Sequence, residues 1–316
     1  TQGMTDLTKA ELKKRWGSMQ KVVSAMAWVM QKSMRTSGAE TLSAAANVFV
    51  GQTEAPLVIR PYINSMTTSE LNAVMVGGFA TMAGGVLAAL ASMGFDAGHL
   101  LAASVINAPG GLLLAKVLQP EVDTPKTLGT VRLDVKDESA NVLESIANGA
   151  VGGLQLALNV GAMLIVFLAL IAVLNIAIGW CGSVLGYDGA QLWSLEAALG
   201  KLFYPVAWLL GIESADRAAA AELMGLKMAT NEFVAYGRML EWAKPDSPIQ
   251  ITDRSRDILT YALCGFANFS SIGIQLGGIG GMAPERRSDL ARLGLRAMIG
   301  GTLASFMTAC FAGLLL

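Results

Sequence analysis

The sequence predicts an all-α polytopic membrane protein with two inverted repeats, each made of a re-entrant helical hairpin and a broken membrane helix. Hydrophobic residues make up 53% of the chain and charged residues 15%, whereas an ordinary soluble domain is about 25% charged. Several uncharged segments also reach the length of about 20 residues that a membrane-spanning helix needs. One pattern occurs twice: an apolar stretch with a lone carboxylate, followed by a glycine-broken apolar segment that contains Gly-Phe-Ala.

Residues 1–36 are expected to form an amphipathic helix at the membrane interface. Basic residues flank a short apolar run that contains Trp28. The run is too short to cross a bilayer, and a tryptophan between basic flanks is typical of interfacial helices. A cleavable signal peptide is disfavoured because the A-x-A-like residues 25–27 lie inside the apolar run, whereas a cleavage site would follow it.

The first repeat is predicted over residues 37–118. Residues 37–66 are too short for a membrane span but suit a re-entrant hairpin, whose tip lies near Gly51–Pro56. The uncharged span 71–95 is so rich in glycine around Gly78-Phe79-Ala80-Thr81 that we expect it to unwind there and to free backbone carbonyls.

The middle of the chain is predicted to hold two further membrane helices and one polar loop. The first, 97–118, is expected to kink at Asn107-Ala108-Pro109-Gly110-Gly111. Residues 119–187 begin with the polar loop and continue with an uncharged stretch, 145–187, which is longer than one straight span needs. We expect a long tilted scaffold helix followed by a turn near Trp180-Cys181-Gly182.

The second repeat is predicted over residues 188–316. Its short apolar segment, hairpin, broken span and final span are expected at 202–212, 218–243, 257–282 and 291–316. The hairpin carries Glu232 near its tip, and the broken span contains Gly265-Phe266-Ala267-Asn268. Paired, interrupted apolar segments in two halves indicate a secondary transporter with its substrate site at the bilayer midplane.

The charge pattern and the rare residue types argue against other functions. The formal net charge is −1, so no concentrated basic face is available for nucleic acid. Cys181, Cys264 and Cys310 lack metal-ligand spacing and are expected to be buried small hydrophobes. His99 is the only histidine and has no second candidate for a catalytic dyad, so a structural role is expected.

Glu54 and Glu232 are the two candidate substrate-binding carboxylates. Each is predicted to lie in apolar surroundings at the end of a half-helix. An ionised carboxylate in such a place costs several kcal/mol unless it is partnered, so these glutamates indicate a functional site.

Three motifs resemble those of the concentrative nucleoside transporter family. The string Gly225-Leu226-Lys227-Met228-Ala229-Thr230-Asn231-Glu232-Phe233-Val234-Ala235-Tyr236 is similar to the family signature G-x-K-x-x-x-N-E-F-V-A-Y. Gly51-Gln52-Thr53-Glu54-Ala55-Pro56-Leu57 resembles the other hairpin motif, and Cys264-Gly265-Phe266-Ala267-Asn268-Phe269-Ser270-Ser271 resembles the third. The likeness runs from about Gly17 to the C-terminus.

The resemblance implies an elevator-type transporter fold and a nucleoside site. The implied substrate-binding residues are Gln52, Thr53, Glu54, Val86, Glu232, Phe266, Asn268 and Ser271. The first three would face the base, and Glu232, Asn268 and Ser271 would hold the ribose, whose hydroxyls suit a carboxylate acceptor. Val86 and Phe266 would pack on the flat apolar parts of the ligand, although both also suit a plain core role. Lys227 belongs to the signature, but it stays outside the ligand shell because such a lysine snorkels or pairs with a nearby acid.

The resemblance also implies a coupling ion, because accumulation of a neutral solute requires a second, downhill species. The implied sodium ligands are Asn47, the backbone of Val50, Thr81 and the backbone of Met82, all hard oxygen donors. Relatives that couple to protons tend to carry serine at the position of Thr53, so Thr53 favours sodium over the proton alternative. No other cofactor is expected.

Nucleosides and the lipid bilayer are the implied partners. Gly51-Gln52 is similar to the pair in broadly selective or uridine-accepting relatives, which favours uridine and cytidine and leaves purine nucleosides open. The resemblance further implies a homotrimer in the plasma membrane, the bacterial inner membrane, with the long helix in 145–187 at the trimer contact.

Several alternatives remain at this point. Family members normally begin with three further membrane helices, and nothing before Gly17 resembles them. We therefore expect a truncated product or a chain completed by a separate one, and a non-transporting relative stays open. A membrane-embedded hydrolase with two carboxylates and a channel are weaker alternatives, because hairpin tips that carry Gln, Thr and Asn favour an occluded binding cradle.

Overall fold

The computed structural model describes residue 25 and residues 27–128, 142–186, 193–244 and 246–316, with the backbone alone at 142–149. Most of the predicted interfacial segment 1–36 and part of the polar loop 119–144 lie outside the described residues. Residues 27–34 form a helix, α1, on which Trp28 is exposed. Every regular secondary-structure element among the described residues is a helix.

The helices that follow have these bounds: α2 Gly38–Asn47, α3 Ala55–Val58, α4 Arg60–Ile63, α5 Thr68–Ala80, α6 Gly84–Ser92, α7 Ala97–Leu118, α8 Val142–Val184, α9 Leu195–Leu209, α10 Arg217–Ala229, α11 Glu232–Trp242, α12 Asp253–Leu263, α13 Phe269–Met282 and α14 Arg287–Leu315. Among the described residues, four segments are long and apolar enough to cross a membrane: Thr68–Ser92, Ala97–Leu118, Ala150–Val184 and Pro284–Leu315. The protein is therefore a multi-pass membrane protein.

The first predicted broken helix is present. Helix α5 begins at the N-cap Thr67, whose side chain accepts from Glu70 N while the Glu70 carboxylate accepts from Thr67 N. The helix ends at Ala80, and α6 resumes at Gly84, so the chain unwinds at residues 81–83. This confirms the unwinding that the glycine-rich sequence predicts.

The second broken helix is also present, but its break falls at a different point of the repeated string. Helix α12 ends at Leu263 and α13 begins at Phe269, so the second Gly-Phe-Ala lies inside the break. In the first copy, Gly78-Phe79-Ala80 forms the last turn of α5 instead. The two strings therefore occupy different positions relative to their helix breaks, although the sequence pattern pairs them.

The backbone at the second break requires a glycine. Gly265 has φ +136°, and a Cβ atom there would lie 2.8 Å from the Ala80 carbonyl oxygen and 2.9 Å from that of Phe79. The residue therefore combines a left-handed conformation with a close crossing of the two broken helices. Gly78, in contrast, lies within helix α5 and has no positive φ.

Both hairpins are formed near the predicted places. In the first, α2 is followed by a non-helical tip and the short helices α3 and α4. A capping box between Ser37 and Glu40 begins α2. In the second hairpin, α10 and α11 are joined by Thr230-Asn231 alone, and the Asn231 side chain caps α11 by accepting from Val234 N. Helix ends therefore lie at the tips of both hairpins.

The long uncharged stretch forms one 43-residue helix, α8, that continues through the predicted turn at 180–182. The helix ends at Val184, and Gly186 follows with a φ of +79°, a left-handed conformation that is common just after a helix C-terminus. Gly182 serves packing instead, because a Cβ atom there would lie 2.5 Å from the Trp193 ring. Cys181 on this helix is exposed, against the expectation of burial, whereas Cys264 is buried.

Helix α9 is longer than the predicted apolar segment 202–212 and packs closely against α10. A Cβ atom at Gly225 would lie 2.6 Å from Gly200 N and 2.7 Å from Glu196 O. The glycine pair therefore lets the two backbones nearly touch, as small residues do in membrane helix packing.

We expect Gly225→Ala to destabilise the protein, because the added methyl group would overlap backbone atoms that cannot move aside as a side chain can. The expected loss is about 1–3 kcal/mol, measured as a lower midpoint of thermal unfolding in detergent. Gly237→Ala on α11 is the matched control, since no atom lies within 4 Å of its Cβ position and alanine favours a helix. Equal unfolding midpoints for the two variants would contradict the packing role.

The plain helices α7 and α14 pack against both broken helices. Pro109 lies inside α7, which remains helical from Ala97 to Leu118. His99 near its start lies 2.7 Å from the Tyr261 hydroxyl through Nδ1, in agreement with the expected structural role.

Candidate functional site

A cavity of about 320 Å³ lies where the two hairpin tips meet the second broken helix. Its size is at the lower end of the range of small-molecule sites, about 300–1,000 Å³. Fourteen residues line it: Gly51, Gln52, Thr53, Glu54, Ala83, Leu164, Asn231, Glu232, Phe233, Phe266, Asn268, Ser270, Ser271 and Ile274. Carboxylate, amide and hydroxyl groups thus share one chamber with a few apolar walls.

Glu232 is placed by the start of α11. It is the first residue of that helix and is 6% exposed, so its carboxylate lies at the positive end of the helix dipole. Asn268 Nδ2 donates to Glu232 Oε2 over 3.2 Å. One carboxylate oxygen is therefore held, and the group is oriented toward the second broken helix.

Lys227 balances this buried charge from the other side of the hairpin. It is 2% exposed, donates to the Ala262 carbonyl oxygen over 3.4 Å and lies close enough to Glu232 for the two charges to interact. The lysine does not snorkel to the surface. It lies outside the cavity lining, as expected from the sequence.

The break between α12 and α13 supplies the next polar groups. Asn268 caps α13, its Oδ1 accepting from Ser271 N over 2.8 Å and from Ser270 Oγ over 2.7 Å. The asparagine therefore faces Glu232 through its nitrogen and the start of α13 through its oxygen. Ser271 is held one residue beyond Ser270 with its hydroxyl toward Gln52.

The first hairpin completes the chamber. Gln52 Nε2 donates to Ser271 Oγ over 3.3 Å, which joins the two halves of the chain directly. Thr53 Oγ1 donates to Glu54 Oε2 over 3.0 Å. Gln52 and Thr53 are buried, but Glu54 is exposed, against the expectation of apolar surroundings, because its carboxylate lies over the small residue Gly51 at the tip.

The structure brings together seven of the eight predicted substrate-binding residues and leaves one apart. Val86 is half-buried on α6, packs against the hydrophobic core and does not line the cavity. Sequence reasoning had no signal for the contributions of Leu164 on α8 and Ile274 on α13, since single apolar residues in apolar helices carry no pattern.

The predicted ion-binding residues lie beside this cavity. Asn47 is 1% exposed, and neither its Oδ1 nor its Nδ2 has a hydrogen-bond partner among the described residues. A buried amide left unsatisfied costs about 1–3 kcal/mol per group, and a ligand bound at this position would offset that cost. Thr81 and Met82 are buried in the unwound stretch, and Val50 follows the end of α2.

Asn47 and Thr81 approach the same point of α5. A Cβ atom at Gly77 would lie 3.5 Å from Asn47 Nδ2, and the Gly77 carbonyl oxygen accepts from Thr81 Oγ1 over 2.9 Å. The neighbouring tip residue Phe49 accepts from Gly84 N over 3.2 Å. The oxygen-rich donor set and the orphaned amide together fit a small hard cation.

Asn107 ties the two helix breaks to each other, a role that the sequence did not indicate beyond a predicted kink. It is fully buried, and its Nδ2 donates to the carbonyl oxygens of Ala80 over 2.8 Å and of Cys264 over 3.2 Å. Thr308 Oγ1 on α14 donates to Asn107 Oδ1 over 2.5 Å, and Ser305 Oγ donates to Cys264 O over 2.7 Å. The carbonyls freed by unwinding are thus satisfied by two unbroken helices.

Apolar helices broken beside a shared polar chamber between two helical hairpins are typical of membrane transporters, and this is the class of the protein. Residues 99–313 match the family described as Na+ dependent nucleoside transporter C-terminus, and residues 10–95 match the family described as Gate: Nucleoside recognition. The chain belongs to the concentrative nucleoside transporter family. This is a family of transporters and not of enzymes, which removes the hydrolase alternative.

Similar proteins from animals and bacteria support this family assignment. The chain is 44% identical over 311 residues to sodium/nucleoside cotransporter 1 of Mus musculus, covering 95% of this chain and 47% of that protein. It is 44% identical over 292 residues to nucleoside permease NupC of Helicobacter pylori, covering 92% and 68%. An uncharacterized transporter of Haemophilus influenzae is 50% identical over 299 residues, covering 94% and 71%. The chain thus spans about half the length of the animal relatives.

Solved structures share the fold. The chain matches CNTnw in an inward-facing substrate-bound state with a TM-score of 0.78 and 45% identity, covering 96% of this chain and 71% of that one. A CNTnw variant in an intermediate state matches with a TM-score of 0.84 and 46% identity, covering 96% and 72%.

Proposed function

We propose that this chain carries the substrate and ion sites of a secondary active transporter that imports nucleosides by sodium symport. The observation that carries the proposal is the chamber in which Glu232 and Asn268 face Gln52 and Ser271. A ribose diol offers two hydroxyl donors to the Glu232 carboxylate, and the base then lies toward the first hairpin at Gln52 and Thr53. The names of the relatives, sodium/nucleoside cotransporter 1 and NupC, support nucleosides as the substrate class. We propose uridine and cytidine as substrates, with purine nucleosides as further candidates.

Sodium is the proposed coupling ion, and Asn47, Thr81 and the backbones of Val50 and Met82 are its proposed ligands. The unpartnered Asn47 amide supports this assignment. The ion would couple to the substrate because Phe266, which lines the cavity, donates its backbone N–H to Thr81 O over 3.3 Å. An ion that binds better to the substrate-ready arrangement shifts the equilibrium toward it.

The proposed motion is an elevator, in which the hairpins and broken helices move past α8. Gly273, Gly277 and Gly281 line one face of α13, and Cβ atoms there would lie within 2.4–2.9 Å of Phe167 or Asn159 on α8. These glycines therefore let α13 and α8 approach each other closely. The outer face of α8 is apolar and exposed, and we propose it as the contact of a homotrimer in the plasma membrane.

Uptake of radiolabelled uridine into proteoliposomes tests the proposal. With an inward sodium gradient we expect accumulation above equilibrium, and with choline in place of sodium we expect equilibration at most. Asn47→Leu should remove the sodium-dependent part of binding, while Asn72→Leu, a buried asparagine outside both sites, controls for the loss of an amide. Accumulation driven by a proton gradient alone would favour the proton-coupled alternative. Absence of uptake with retained uridine binding would identify a chain that holds the site but does not transport by itself.

A further inference from the structure

Gln275 lies behind the cavity and contacts Gln52, although neither the motifs nor the cavity lining include it. It follows Ser271 by one turn of α13 and is fully buried. Its Nε2 donates to the Met75 carbonyl oxygen on α5 over 3.1 Å and to Gln52 Oε1 over 3.1 Å. The side chain therefore connects α13, α5 and the first hairpin.

These contacts determine which way the Gln52 amide points. A backbone carbonyl only accepts, so the Gln275 atom that faces Met75 must be the nitrogen. The same nitrogen faces Gln52, which must therefore present its oxygen to Gln275 and its own nitrogen to Ser271 and the cavity. One of the two N–H groups of Gln52 Nε2 meets Ser271 Oγ, which leaves the other for a ligand.

Gly78 makes room for this pair. A Cβ atom at Gly78 would lie 2.8 Å from Gln275 Nε2 and 3.0 Å from Gln52 Cβ. The Gln275 oxygen, in contrast, is buried without a partner among the described residues. Retaining a glutamine with one unsatisfied oxygen is costly, so the donor side of its amide carries the role.

We propose that Gln275 is a positioning residue that locks Gln52 as a hydrogen-bond donor, so that the site prefers a nucleobase with an acceptor at that position. This inference rests on the proposed function. Gln275 acts through Gln52 and does not itself line the cavity. It sets base preference and leaves recognition of the ribose to Glu232 and Asn268.

The test compares uridine, cytidine and 2′-deoxyuridine on the purified full chain in detergent with sodium, by calorimetric titration. Uridine and cytidine exchange donor and acceptor at N3 and C4 of the base. Gln275→Met removes the lock, and we expect the uridine-to-cytidine affinity ratio to move toward one by about 3- to 10-fold, the range of one hydrogen bond. Gln275→Leu also lacks the amide donor, so it should shift the ratio in the same direction as Gln275→Met.

Two controls separate this role from a structural one. The ratio of uridine to 2′-deoxyuridine affinity should stay constant in both variants, because it reports the ribose side. Ile279→Met, one turn further along α13, perturbs packing alone and should leave both ratios unchanged. If both Gln275 variants still bind uridine with an unaltered uridine-to-cytidine affinity ratio, this inference is overturned and the proposed function stands. Failure of the unaltered protein to bind any nucleoside overturns the proposed function and this inference with it.

Discussion

Glu232→Gln is expected to lower uridine affinity by on the order of 100-fold or more while leaving the fold in detergent unchanged. The substitution keeps the size of the side chain and removes the charge that would accept both ribose hydroxyls. Hydrogen bonds to charged groups contribute about 1.5–3 kcal/mol each, so weakening two of them explains the size of the effect. Calorimetric titration with uridine measures the loss, and 2′,3′-dideoxyuridine should distinguish the variant from the unaltered protein far less than uridine does.

The control for Glu232→Gln is Glu222→Gln, on an exposed turn of α10 where the carboxylate lies 3.9 Å from Arg238. Surface ion pairs of this kind contribute little, so affinity and unfolding midpoint should both be retained. If Glu232→Gln lowers the unfolding midpoint strongly, the carboxylate serves mainly as the structural partner of Lys227. Unchanged uridine affinity would count against the whole site.

Asn107→Leu is expected to weaken sodium and uridine binding together and to lower stability. The change fills the same space but leaves the buried Ala80 carbonyl oxygen without its side-chain donor, and it removes one of the two donors to the Cys264 carbonyl oxygen, which keeps Ser305. An unsatisfied buried carbonyl costs about 1–3 kcal/mol, and the two breaks lose the side chain that bonds to both of them. Because one break leads to Thr81 and the other to Phe266, the loss should appear in both affinities, measured by titration of each ligand in the presence of the other.

Thr308 provides a graded comparison for Asn107. Thr308→Ser retains the hydroxyl that donates to Asn107 Oδ1 and should keep both affinities, whereas Thr308→Val removes it and should produce a smaller version of the Asn107→Leu effect. A variant that loses stability with unaltered ligand affinities would restrict Asn107 to holding the fold.

The order of elements and the chamber could be predicted from the sequence because their signals are local. Glycine-rich stretches in uncharged segments indicated the breaks, and short apolar segments with a carboxylate indicated the hairpins. The resemblance of the motifs to the family then grouped Gln52, Glu232, Asn268 and Ser271. Gln52 and Glu232 are more than 170 residues apart in the chain. Polar functional residues at helix ends can therefore be predicted from sequence motifs.

The errors share a different physical origin. The turn at 180–182 and the equivalence of the two Gly-Phe-Ala strings were inferred from glycine, but glycine also serves close packing, as at Gly182 and Gly78. Asn107 and Gln275 went unrecognised because a single polar residue within an apolar helix has no period or spacing. Their roles exist only through carbonyls contributed by other segments, and tertiary contact alone reveals them.

The bonds that cross between the halves also constrain biogenesis. Asn107 and Gln52 emerge from the ribosome well before Cys264, Ser271 and Thr308, which supply or accept their hydrogen bonds. Within a bilayer such groups have no water to bond with, so they depend on these partners for their hydrogen bonds. The contacts between the two halves can therefore form only after α13 and α14 have been made, which couples the folding of the halves.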